Sequence, residues 1–161
     1  MWCSRSRDPA PARDALLLIA DNDVGRREEL RGFFRGSGFQ VAVAANGLEC
    51  LAELAVVQPD VLIVAMEIPW GGGDGVLARL REGLPMRRRP IVLVMGDSPP
   101  QTLSERTGLP LSNCFSQPVC AEEMLDRIGI EFAARLLYGA HRVEHARQAR
   151  AARALIKGGV R

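Results

Sequence analysis

Short apolar runs alternate with longer mixed stretches along this chain. Ala15–Ala20 (ALLLIA) is apolar throughout, the pattern of a strand covered on both faces. It ends in Asp21-Asn22-Asp23, a polar cluster that can cap a helix starting near Val24. Leu30, Phe33 and Phe34 give that helix an apolar face, and Gly36-Ser37-Gly38 closes it. Phe39–Ala44 alternates and predicts a second strand. Asn46-Gly47 then turns into a helix whose apolar stripe includes Leu48, Leu51, Leu54 and Ala55. Pro59-Asp60 leads into a third strand, Val61–Ala65, followed by a glycine-rich loop, Trp70–Gly75, and a short helix around Val76–Arg81. Pro90–Met95 predicts a fourth strand. Pro99, Pro100 and Pro110 keep any helix within Gly96–Ser112 short or distorted. Asn113–Ser116 gives a fifth strand, stopped by Gln117-Pro118, and from Ala121 a helical pattern runs nearly to the end.

Strands alternating with helices predict an α/β fold with a parallel sheet and helices on both faces. In such sheets, sites form outside the carboxyl ends of the strands. That rule gathers Asp21–Asp23, Ala65–Pro69, Met95–Gly96 and Gln117 along one rim. The length, 161 residues, allows one domain with a full core plus additional helix. The expected division is a flexible leader over 1–14, an α/β body over 15–130 and a helical extension with a basic tail over 131–161. Charged residues make up 25% of the chain and nearly cancel to +2, unlike a dedicated nucleic-acid-binding domain. Cys3, Cys50, Cys114 and Cys120 show no CxxC spacing and no neighbouring histidines, so neither a zinc site nor a disulfide framework is expected. That usage fits a reducing cytoplasm. No apolar run is long enough for a bilayer, so no membrane role is expected, and the Arg-containing amino terminus lacks the apolar core of a signal peptide.

LLLIADND at strand one, PDVLIV with its following proline and glycines at strand three, PIVLVMG at strand four and QPVCAEEM at strand five occur in this order. Together they resemble the response-regulator receiver (CheY-like) family, over roughly Ala15 to Ile130. The resemblance implies a flavodoxin-like (βα)5 fold: a doubly wound, five-stranded parallel sheet in a three-layer α/β/α arrangement, here with an extended C-terminal helix. It also implies a phosphorylation pocket. A working receiver holds Mg2+ with an acidic pair, accepts a phosphoryl group on an aspartate, and binds the phosphoryl oxygens with a hydroxyl residue and a lysine.

Carried over residue by residue, that machinery is altered here. Asp21 matches the first acid, while Asn22 stands where the second is usual. Ala65 replaces the acceptor aspartate and cannot form an acyl phosphate. Met95 stands at the hydroxyl position, Gln117 at the lysine, and Cys114 at the aromatic whose rotamer reports activation. The resemblance therefore implies a degenerate pseudo-receiver: not an enzyme, with no cofactor expected, acting as a protein-interaction module in a phosphorelay-type pathway. A residual phosphoacceptor working through Mg2+ and another carboxylate is a further alternative, with Asp21 and Glu67 as the weak metal candidates. Glu67 reads either as a carboxylate entering the vacant pocket, mimicking an activated state, or as a solvated loop residue. Asp60 lies at the far end of strand three and Asp74 in a glycine-rich turn, so neither is expected to accept phosphate. Trp70 reads either as an exposed anchor for a partner or as a lid folded over the pocket. The glycine-rich loop matches neither nucleotide-binding signature, and Cys120 before AEEM reads more readily as an inert thiol than as a redox sensor.

In the extension, Met124, Leu125, Ile128, Phe132, Leu136 and Leu137 form an apolar stripe at helical spacing. After Tyr138 the character turns basic, with Arg142, Arg147, Arg150, Arg153, Lys157 and Arg161. This segment reads as a solvated helix, as a helix packing on a protein partner or on a second copy of the chain, or as an anion-binding surface. Nucleic acid and cyclic di-GMP are the candidate anions, the latter from a loose resemblance to receiver-like proteins with Arg-rich tails. Arg87-Arg88-Arg89 forms a second basic cluster. No separate output domain is expected after the body.

Overall fold

The computed structural model describes residues 14–158, with side chains through residue 150. Apart from Asp14, the expected leader lies outside the described residues, as do the side chains of Arg153 and Lys157 and all of Arg161. The elements run β1 (Leu16–Ala20), α1 (Val24–Gly36), β2 (Gln40–Ala44), α2 (Gly47–Val57), β3 (Val61–Ala65), α3 (Gly72–Glu82), β4 (Ile91–Gly96), α4 (Pro100–Thr107), β5 (Cys114–Ser116) and α5 (Ala121–Gly158). A single 3-10 turn, Leu111–Asn113, precedes β5. The chain divides into two compact units, one ending at Ile128 and the other starting at Gly129.

All four strand pairings are parallel, in the order β2-β1-β3-β4-β5. The order changes direction between β1 and β3, so right-handed crossovers put α1 on one face and α2, α3 and α4 on the other. β1 and β3 are the central strands, and their continuous apolar runs reflect cover on both faces: Leu17, Leu18, Ile19, Val61, Leu62 and Ile63 are wholly buried. Met124 and Ile128, in the first turns of α5, add to this core.

The apolar pattern placed every strand to within a residue, but two helices differ from expectation. In α2 the buried residues are Gly47, Cys50 and Leu54, whereas Leu48 and Ala55 face solvent. Gly47 sets this rotation: a Cβ there would lie 2.2 Å from the Trp70 carbonyl oxygen, so only glycine lets α2 approach the loop after β3. The glycine-rich stretch is the second difference. Rather than a loop running to Gly75, it is the first turn of α3, which begins at Gly72. Gly73 packs against the Met66 backbone, where a Cβ would meet the Met66 Cα at 2.9 Å. In α5 the predicted apolar stripe is buried only as far as Ile128, and Leu136 and Leu137 are exposed.

Candidate functional site

The rim at the carboxyl ends of the strands is pinned by backbone bonds that extend the ladder past the strand ends. The Asp21 N–H donates to the Ala44 carbonyl, Met66 N–H to Met95, and Gln117 N–H to Gly96, at 3.0, 2.9 and 2.9 Å. These bonds set Asp21, Ala65, Met95, Gly96 and Gln117 on one edge, beside the point where strand order reverses.

Asp21 is the fully buried carboxylate of this rim. Both its oxygens accept from the side chain of one residue, Arg26, in the first turn of α1. Arg26 Nε donates to Oδ2 at 2.5 Å and Nη2 to Oδ1 at 2.7 Å, a two-pronged guanidinium–carboxylate pair. The third nitrogen, Nη1, donates to Gln117 Oε1 at 2.6 Å. The Asp23 N–H also donates to Asp21 Oδ1 at 2.9 Å, and Arg27 Nη1 donates to the Asp21 carbonyl at 2.6 Å. The hydrogen-bonded Asp21 carboxylate holds the Arg26 guanidinium above its ordinary range, against the opposing effect of burial, and the charges of Asp23 and Asp97 add to it. Asp23 caps α1, accepting the Arg26 N–H at 2.8 Å, and that backbone bond is the main cause of its lowered carboxyl pKa.

The other predicted site residues fall around this pair. Ala65 and Met95 are wholly buried and paired in register across β3 and β4. Asn22 is exposed and Gln117 half-buried. Cys114 is buried, donates to the Pro110 carbonyl at 3.5 Å, and has its thiol pKa pushed up by burial. Glu67 is exposed; its carboxylate lies over Gly96, where a Cβ would meet Oε1 at 3.0 Å, and it accepts the Asp97 N–H at 3.4 Å. Glu67 thus lies across the end of β4, not inside the pocket. Asp60 sits at the opposite edge, accepting the Leu16 N–H at 3.0 Å, and Asp74 pairs with Arg106. Trp70 is 71% exposed with φ 62°, so it does not fold over the rim. Cys120 is an exposed free thiol that donates to Glu122 at 3.2 Å. Arg142, Arg147 and Arg150 are exposed along α5.

A hard divalent cation needs carboxylate oxygens converging on an open position. Both oxygens of Asp21 are committed to Arg26, and among the described residues no three His, Cys, Asp or Glu side chains come together as metal ligands. As placed, these residues do not fit Mg2+: both Asp21 oxygens accept from Arg26, and Glu67 lies across the end of β4. The residue that sequence reasoning missed is Arg26. A buried aspartate without a lysine at position 117 requires another cation, and the first turn of α1 supplies the nearest one.

Residues 17–129 match the family model described as Response regulator receiver domain. Among curated proteins, the chain is 35% identical over 65 residues to sporulation initiation phosphotransferase F of Bacillus subtilis, covering 40% of this chain and 52% of that protein. It is 32% identical over 118 residues to response regulator MprA of Mycobacterium avium, covering 70% of this chain and 48% of that one. The chain thus spans about half the length of these curated relatives. Solved structures similar to it include a Francisella response regulator receiver domain, with a TM-score of 0.65 at 22% identity over 76% of this chain and 99% of that one. A second is a putative response regulator from Chloroflexus aurantiacus, with a TM-score of 0.65 at 26% identity over 74% and 98%. No helix among the described residues is long and apolar enough to cross a membrane.

Proposed function

This chain belongs to the response regulator receiver family, and from that premise we propose that it is a pseudo-receiver: a receiver fold that takes no phosphoryl group and acts by docking to a protein partner in a two-component-type pathway. The observation that carries this reading is Ala65. It ends β3 with a methyl group, wholly buried and in register with Met95, so the position offers no nucleophilic oxygen. Phosphoryl transfer depends on charge stabilisation around the acceptor, and a methyl group supplies none. Asp60 and Asp74 do not replace it, because the first is tied to β1 at the opposite edge and the second is paired with Arg106.

Docking then depends on fixed surfaces. Exposed apolar side chains occur at Leu48 and at Trp70, whose carbonyl lies against Gly47, and along α5 at Leu136 and Val143, seven residues apart on one side of the helix. The α5 face suits a protein partner or a second copy of the chain. The decisive experiment treats the protein with acetyl phosphate and Mg2+ and measures hydroxylamine-labile phosphate. None is expected, and Ala65→Asp alone should not restore switching, since Met95 supplies no hydroxyl and Gln117 no ammonium to read the phosphoryl group. A stoichiometric acyl phosphate on the wild-type chain would overturn the reading.

A further inference from the structure

The Asp21 carboxylate poses a problem that the absence of an acceptor at position 65 does not answer. It is wholly removed from water, and a buried carboxylate is tolerated only with a positive, hydrogen-bonded partner. In a working receiver the metal and a lysine supply positive charge at this rim. Here the residue at 117 is an uncharged glutamine, and the residues do not fit a divalent cation.

Arg26 answers both deficits with one side chain. We propose that Arg26 is a tethered resident cation, standing in for the divalent metal at Asp21 and for the lysine ammonium at position 117. The rim is thereby charge-balanced and closed to divalent cations. This inference rests on the pseudo-receiver reading and deepens it, because it assigns what holds the pocket in one fixed form.

Three features support it. First, the fork is complete: Nε and Nη2 reach both Asp21 oxygens, and Nη1 still reaches Gln117. A lysine has a single point charge and cannot make that planar set. Second, Arg26 is held at both ends, because its backbone N–H donates to the cap residue Asp23 while its head group is bound. Third, Gln117 offers its amide oxygen, the atom that accepts from a guanidinium, which a lysine at that position could not do. The charges facing the guanidinium are Asp21, Asp23 and Asp97. β1 and β5 are not neighbours in the sheet, so Arg26 links two separated parts of the rim without any added ligand.

The test uses the full chain and two readouts. Thermal unfolding is followed in MgCl2 against NaCl of equal ionic strength, and Mn2+ is titrated while amide line broadening is read at Asp21–Asp23, Glu67 and Asp97. For the wild type, the expected results are equal midpoints and no saturable broadening at the rim. Arg26→Ala, which leaves Asp21 buried and unpaired, loses on the order of 10 °C in Tm and recovers part of it in MgCl2. Gln117→Leu, a milder change, loses a few degrees and stays indifferent to Mg2+, which keeps the proposal testable if Arg26→Ala does not fold. Saturable Mn2+ binding at the wild-type rim, a Gln117→Leu variant that gains a Mg2+ response, or an Arg26→Ala variant of unchanged Tm would each overturn the resident-cation assignment. Metal binding without acyl phosphate defeats this inference alone, whereas acyl phosphate formation defeats the pseudo-receiver reading beneath it.

Discussion

Cys50 shows what burial does to a single titratable group in this fold. It lies on the inner face of α2 with no exposed surface, and burial pushes its thiol up to about 12 from 9.0. A folded-state value above the unfolded one means that the native state holds the proton more tightly. The associated stability is complete below pH 9.0 and is lost as pH rises toward about 12. Within that window the loss approaches about 1.4 kcal/mol per pH unit, the value of one proton's differential binding. Urea unfolding as a function of pH measures it, and Cys50→Ala should flatten this alkaline decline while being less stable at neutral pH. An unchanged alkaline slope in the variant would show that another group governs it. Arg26 teaches the complementary lesson about what a sequence discloses. Asp21, Ala65, Met95 and Gln117 were legible because each ends an apolar strand. Arg26 was not, because an arginine in a first helical turn normally reads as solvated, and its partner Gln117 lies 91 residues away.

The strands were legible as elements because central parallel strands must be apolar throughout, and no other element of this chain concentrates Leu, Ile and Val so closely. The helices were less so, since the face a helix buries depends on what approaches it. The stripe Leu48, Leu51, Leu54, Ala55 is a sound amphipathic reading of α2, yet only Leu54 of it is buried, and the helix is turned to bury Gly47 and Cys50 beside it. A backbone contact decides this: Gly47 N–H donates to the Pro69 carbonyl at 2.9 Å, and the Trp70 carbonyl fills the space a side chain would need. Gly47→Ala therefore forces apart α2 and the loop that follows β3, an overpacking expected to remove on the order of 2 kcal/mol. The same change at Gly75, where no atom lies within 4 Å of an added Cβ, should be neutral or stabilising by its helix propensity. Chemical denaturation of the two variants side by side checks this, and equal stabilities would refute the proposed close approach.

For the whole molecule, the division at Ile128 and Gly129 predicts unequal stability along one continuous helix. The first two turns of α5 bury Met124 and Ile128, whereas Ile130, Leu136, Leu137, Tyr138 and Val143 are between 55% and 75% exposed. A helix within a protein draws most of its stability from tertiary packing, and short of that packing it opens readily even with good intrinsic propensity. Gly139 lies within this stretch and lowers that propensity further. Hydrogen exchange in dilute solution should therefore find the amides of Val61–Val64 protected close to the level of global unfolding. Those from Leu136 to Arg150 should exchange orders of magnitude faster. If a second copy covers the apolar residues of α5, protection of Leu136–Val143 rises with protein concentration while that of β3 stays constant. A protein partner instead raises it only when added. Protection of Leu136–Val143 equal to that of β3 at every concentration would mean that the chain covers this face by itself, and the docking role proposed for α5 would then fall.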